Sequence, residues 1–285
     1  MISIDAQSKS RGLLKEIISK SITTDKVPVL LSGGADSTLV AFSVHELGKQ
    51  VIGISYELEG IENPDCSKAE ITCSSMGWQF EKVIVKLDDP KRDFLDLIRT
   101  YKCQKKTELE ILFPMIAMGK RIKELGFDYV LSGFEGWIPD TRKFEIKLRN
   151  EPEEFWEFVI NSDSLMSSAT QKCILHYDSI GITIQTPLDS KELIRTYSEL
   201  SYSDCHKPVW KYMLKCLYET EFKKCNLWKD NRSPNLQKGG KVEDYFASLL
   251  SDPEINYRGY LKGNVTQRLS HLTQLWVKDP NPKIK

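Results

Sequence analysis

Ser32-Gly33-Gly34-Ala35-Asp36-Ser37 carries the densest chemistry in the chain: two hydroxyls, two glycines and a carboxylate within six positions. It follows the apolar run 27–31 and opens a helical pattern over 38–47, so a strand's tip turns directly into a helix. Glycine allows a tight turn and close approach to a ligand, so that successive N–H groups converge on phosphate oxygens. The helix N-terminus behind them adds about 0.3–1 kcal/mol per contact. Ser32 and Ser37 supply hydroxyl donors. Asp36 repels phosphate unless a divalent cation stands between them. Together these residues point to magnesium pyrophosphate, and so to ATP divided between its α and β phosphates. The loop is neither G-x-x-x-x-G-K-[ST], which the chain lacks, nor G-x-G-x-x-G.

The elements that must position this loop follow from periodicity. Apolar residues at helical spacing over 8–22 (Leu13, Leu14, Ile17, Ile18) predict an amphipathic lead-in helix. Strands are expected at 27–31, 50–55, 78–85, 128–131 and 181–186. Helices are expected at 38–47, 67–76, 94–101 and 108–125, the last closed by Gly126. Strands alternating with helices predict an α/β fold, doubly wound on a mostly parallel five-stranded sheet, with ligands beyond the strands' carboxyl ends. After Pro187 the pattern turns helical, at 193–200, 209–222, 242–250 and 265–276. The polar, glycine-rich stretch 229–241 reads as a mobile loop. The expected organisation is a helical lead-in at 1–26, a nucleotide-binding core at 27–190 and a helical C-terminal region at 191–285.

Lys+Arg and Asp+Glu both number 40 in 285 residues, so bulk charge favours neither nucleic acid nor an anionic membrane as partner. No window reaches the about 20 apolar residues of a membrane span, and Met1-Ile2-Ser3-Ile4-Asp5 lacks a secretory pattern. Seven cysteines, with no C-x-x-C pair, fit reduced thiols in a cytoplasm. Cys205-His206 suggests a metal or catalytic pair, but no second ligand pair accompanies it.

The SGGxDS loop is that of the PP-loop ATP pyrophosphatase superfamily, whose fold is adenine nucleotide α-hydrolase-like. Within it the chain resembles the synthetase domain of asparagine synthetase, the family that includes β-lactam and carbapenam synthetases. Pro114-Met115, then Lys120-Arg121-Ile122-Lys123-Glu124-Leu125-Gly126-Phe127-Asp128-Tyr129-Val130-Leu131-Ser132-Gly133, closely matches that family's helix–strand leading to its second active-site loop. Residues 181–189, ending Pro187-Leu188-Asp189, look like its buried G-x-E-x-R-x-P-F-L-D segment with one residue missing.

The resemblance implies that a substrate carboxylate attacks the α-phosphorus of ATP, and that ammonia or an amine then displaces AMP to leave an amide. It implies ATP and pyrophosphate contacts at Leu31, Ser32, Gly33, Gly34, Asp36, Ser37, Thr38, Ser132 and Gly133, with adenine lying near Ile54, Ser55 and Tyr56. Mg2+ would be held by Asp36, with Asp140 or Glu135 serving through a shifted loop in place of the family's Asp. Glu135, Lys229, Arg232 and Lys238 are the expected catalytic groups, while Lys105, Lys106, Lys207 and Lys211 are further candidate phosphate-binding cations. The departures are specific. Phe134 and Trp137 stand where the family's second loop carries a Glu or Tyr and a metal-binding Asp, and Thr183 and Gln185 replace its Glu and Arg. Glutaminase-bearing relatives begin with a cysteine on a separate domain, whereas here the phosphate loop follows within about thirty residues of Met1. The expected nitrogen sources are therefore free ammonia, a small amine, an amine on a macromolecule, or ammonia from a separate supplying chain. Two other readings stay open: adenylation of a nucleobase or tRNA, and a nucleotide-binding protein that has lost the chemistry.

Overall fold

The computed structural model describes residues 2–134, 142–162, 166–198, 200–230, 239–257, 259 and 261–280. Its centre is a parallel sheet of β1 (Lys26–Leu30), β2 (Gln50–Leu58), β3 (Gln79–Val85), β4 (Tyr129–Ser132) and β5 (Thr183–Gln185). They lie in the order β3-β2-β1-β4-β5, with every pairing parallel. The doubly wound five-stranded expectation is met. β1 and β2 read as nearly unbroken apolar runs because helices cover the sheet on both faces.

One face is covered by α1 (Ile4–Ser21), α2 (Ala35–Glu46), α3 (Pro64–Met76) and the helices between Lys191 and Lys224. The other carries α4 (Pro90–Arg99), α5 (Lys106–Glu124) and α8 (Ser168–Ser179), joined by the segment Val242–Lys278. α6 (Arg142–Asn150) and α7 (Pro152–Asn161) precede α8. The chain lays down β1, β2 and β3 in one direction, then crosses to the other side of β1 for β4. The strand order therefore reverses between β1 and β4, and the crevice beyond their carboxyl ends is where such sheets bind ligands. Leu30 and Ser132 face each other at that point.

Two helical expectations need correction. The helix expected over 193–200 stops at Arg195 and continues as turn. The helix expected over 209–222 is three short pieces, Tyr212–Lys215, Cys216–Tyr218 and Glu219–Lys224. The causes lie in the backbone: Lys211, at φ 56°, holds the start back to Tyr212, and Tyr218, at φ −139° and ψ 47°, parts the last piece.

Candidate functional site

The turn at the switch point is built by glycine. Gly33 has φ +68°, and a Cβ there would lie 2.6 Å from Lys68 Cβ on α3. Gly133, at the tip of β4, presses its backbone on the start of α2; a Cβ would fall 2.7 Å from Ser37 Cα. The turn after β1 thus closes on α3, and the tip of β4 on the start of α2, with no side chain at either glycine. Ser37 Oγ accepts from the Ser32 N–H at 3.2 Å and lies 3.1 Å from Ser32 Oγ, while Phe134 N–H donates to Ser132 Oγ at 3.1 Å. Thr38 Oγ1 is fully buried and has no hydrogen-bond partner among the described residues.

Asp36 stands in the first turn of α2. Its Oδ2 accepts from Lys211 Nζ at 2.5 Å, whereas Oδ1 carries no hydrogen bond among the described residues. Lys211 is only 4% exposed. Its backbone N–H donates to His206 Nδ1 at 3.3 Å, and the His206 ring stacks on Trp210 at 4.0 Å. Four residues on, the buried Lys215 lies near Asp36, Lys211, Asp230 and Lys68; burial pushes its pKa down to about 8, against the pull of Asp230. Sequence reasoning grouped Lys211 with Lys207, which is exposed, took His206 only as half of a Cys205-His206 pair, and did not single out Lys68, Lys215 or Asp230. The available signal was the Lys211/Lys215 spacing, which in the helix expected over 209–222 would set two cations on one face.

The remaining candidates are more dispersed. Leu31 is buried and its N–H donates to Ile54 O at 2.8 Å; Tyr56 O accepts from Asn63 Nδ2 at 2.9 Å. Ile54, Ser55 and Tyr56 are all buried. Lys229 is exposed. Lys105 Nζ donates to Ser168 Oγ, and Lys106 pairs with Glu110 and Glu243. Glu135, Trp137, Asp140, Arg232 and Lys238 lie outside the described residues. Cys205 is buried, with its thiol pushed up to about 12 by burial, and no cluster of three metal-ligating side chains occurs among the described residues. Nor is any helix among them long and apolar enough to cross a membrane.

A glycine turn of this sequence at the switch point of a five-stranded parallel sheet, opening a helix that carries an aspartate, defines the PP-loop ATP pyrophosphatase class. Residues 9–136, somewhat under half of the chain, match the family described as asparagine synthase. The chain is also 38% identical over 69 residues to the tRNA-specific 2-thiouridylase MnmA of Wolbachia sp. subsp. Brugia malayi (strain TRS). That likeness covers 22% of this chain and 19% of the relative's length.

Proposed function

We propose that the chain is an ATP-dependent, AMP- and pyrophosphate-forming amide ligase that adenylates a carboxylate and transfers it to ammonia or an amine. The observation that carries this reading is the glycine cradle with Asp36, inside the segment that matches the asparagine synthase family, and Lys211 brought onto its rim from beyond that segment. A carboxylate oxygen of the substrate attacks the α-phosphorus, and the bond from that phosphorus to the α–β bridging oxygen breaks. Main-chain N–H groups around Gly33 and Gly34, the Ser32 and Ser37 hydroxyls and the start of α2 face the departing pyrophosphate. Lys211 Nζ is placed to share its hydrogens between Asp36 and a phosphate oxygen, offsetting charge as it develops. In the second half the amine nitrogen attacks the acyl carbon, loses a proton, and AMP leaves as the amide forms.

Asp36 Oδ1, without a hydrogen bond, fits a magnesium ion, which such sites hold by one or two carboxylates plus substrate phosphates. Bound there, magnesium would neutralise phosphate charge. Asp140 is proposed as its second ligand. Glu135, Lys229, Arg232 and Lys238 are proposed to act at the reacting groups. Ile54, Ser55 and Tyr56 are proposed to lie by the adenine, with Leu31, Thr38, Ser132 and Gly133 completing the phosphate cradle.

The test is magnesium-dependent exchange of labelled pyrophosphate into ATP across a panel of carboxylic acids. At least one acid should support exchange, and Asp36→Asn should lower it by about a hundredfold or more at unchanged folding. Exchange without any dependence on Asp36 overturns the assigned site. A second reading, adenylation of a nucleobase in tRNA, is favoured by the MnmA similarity. Transfer of label from ATP to tRNA, with no acid active, would select it.

A further inference from the structure

Lys215 closes the short helix Tyr212–Lys215 and is 2% exposed, so an ammonium group is carried into the interior. Its Nζ donates to two main-chain carbonyls, Trp228 at 3.0 Å and Asp230 at 2.8 Å. These carbonyls stand on either side of the exposed Lys229. The Asp230 carboxylate accepts in turn from Lys68 Nζ at 2.5 Å, and Lys68 is the residue that crowds Gly33 in the cradle. Residues 228–230 are thus tied to the site twice, once through the buried ammonium and once through the α3 wall. Burying a charge is unfavourable unless its hydrogens are satisfied, and here main-chain carbonyls take two of the three. Lys211 and Lys215, four residues apart, therefore do different things: one reaches the cradle, the other the segment beside it.

We propose that Lys215 is a positioning residue that mounts Lys229 at the cradle's rim, through the carbonyls of Trp228 and Asp230, to meet the terminal phosphates of bound ATP. The inference rests on the ATP-binding reading given above. Its pH dependence has a definite sign. Burial has lowered the Lys215 pKa to about 8, and the charged groups around it are Asp230, Lys211, Asp36 and Lys68. Above that pH the charge assistance to both carbonyls fades and triphosphate affinity falls. Stability moves the other way, because a lysine whose folded pKa lies below 10.5 penalises the fold less as pH climbs from about 8 toward 10.5.

The experiment is calorimetric titration of the full chain with a non-hydrolysable ATP analogue and magnesium, alongside AMP, with thermal melts as the folding control. Lys215→Met should weaken analogue binding about tenfold and leave AMP within about twofold, while Lys215→Arg recovers most of the loss. The Lys215→Met/Lys229→Met double variant should bind no more weakly than Lys229→Met, since both remove one contact. Affinity of the wild type, but not of Lys215→Arg, should fall above about pH 8 without a fall in melting temperature. Should Lys215→Met not fold, Asp230→Asn keeps the carbonyl and weakens the Lys68 tie, and should show a smaller loss of the same kind. Unchanged analogue binding in these variants, or additive losses in the double variant, overturns the positioning role. A wild type that binds no analogue fails the ATP reading itself and removes this inference with it.

Discussion

Lys211 and Lys207 are four residues apart in sequence, yet only one of them meets the cradle. Lys211 is buried against Asp36, whereas Lys207 faces solvent. Lys211→Met is therefore expected to weaken binding of the magnesium–ATP analogue about tenfold, from loss of one charge-assisted hydrogen bond, while Lys207→Met stays within about twofold. Equal effects of the two variants in the same titration would contradict this assignment. The contrast also shows what was legible at this scale. Leu31 to Thr38 could be read directly, because a phosphate turn is contiguous and its glycines are demanded by local backbone geometry. Lys211 could not be separated from its neighbours, because its role depends on a partner 175 positions away and on a left-handed backbone at φ 56°. His206, which accepts that backbone N–H, stood out in the sequence only beside Cys205, and nothing there tied it to Lys211.

Between elements, close approach and charge both fix the site's geometry. Gly133→Ala would drive a methyl into the backbone of α2 at Asp36 and Ser37. The expected cost is about 1–3 kcal/mol of stability with loss of nucleotide binding, read from denaturant melts and titration of the same sample. On the far end of α2, Glu46 accepts from Arg11 at 2.9 Å and Lys15 at 2.8 Å on α1, and from Tyr218 at 2.6 Å. Burial would raise its pKa, but these hydrogen bonds outweigh it and hold the carboxyl down at about 2. Its contribution is present above the ordinary value of 4.5 and fades as pH falls toward about 2. Glu46→Gln should therefore cost about 1–2 kcal/mol near neutral pH, discounted for partial exposure, with the gap to wild type narrowing in melts below about pH 4.5. Strands β1, β2 and β4 were legible as elements because double-sided burial writes them as apolar runs, while the edge strand β3 showed in Phe80 and the alternating Val83 and Val85. α6 to α8 were not assigned from sequence, since charged residues such as Lys147, Glu153 and Glu157 interrupt their apolar positions. The broken helix after 209 was missed for the opposite reason: Met213, Leu214 and Leu217 keep helical spacing across a break made by backbone geometry.

At the scale of the whole molecule, the expected division at residue 190 becomes a question of cooperativity. Val242, Phe246, Leu249, Leu269, Leu272 and Trp276 share one apolar cluster with Ile54 of β2 and Leu112 of α5. Phe113 stacks on Tyr245 at 5.2 Å, Tyr245 donates to Asp93 at 2.7 Å, and Trp276 Nε1 donates to Ile255 O at 2.8 Å. Contacts of this kind make the late helices part of the wall behind β2, so loosening them should be felt where the nucleotide binds. Trp276→Ala, far from the cradle in sequence, is expected to cost about 3–5 kcal/mol through the cavity it leaves. Its urea unfolding should remain a single transition, with far-ultraviolet dichroism and binding of the magnesium–ATP analogue lost at the same midpoint. Retention of analogue binding after the dichroism of the late helices has gone would show residues 191–285 to be a separate cooperative unit. It would also mean that the shared cluster contributes little to holding β2 in register beside β1, leaving the switch point to be fixed by α2 and the strand tips alone.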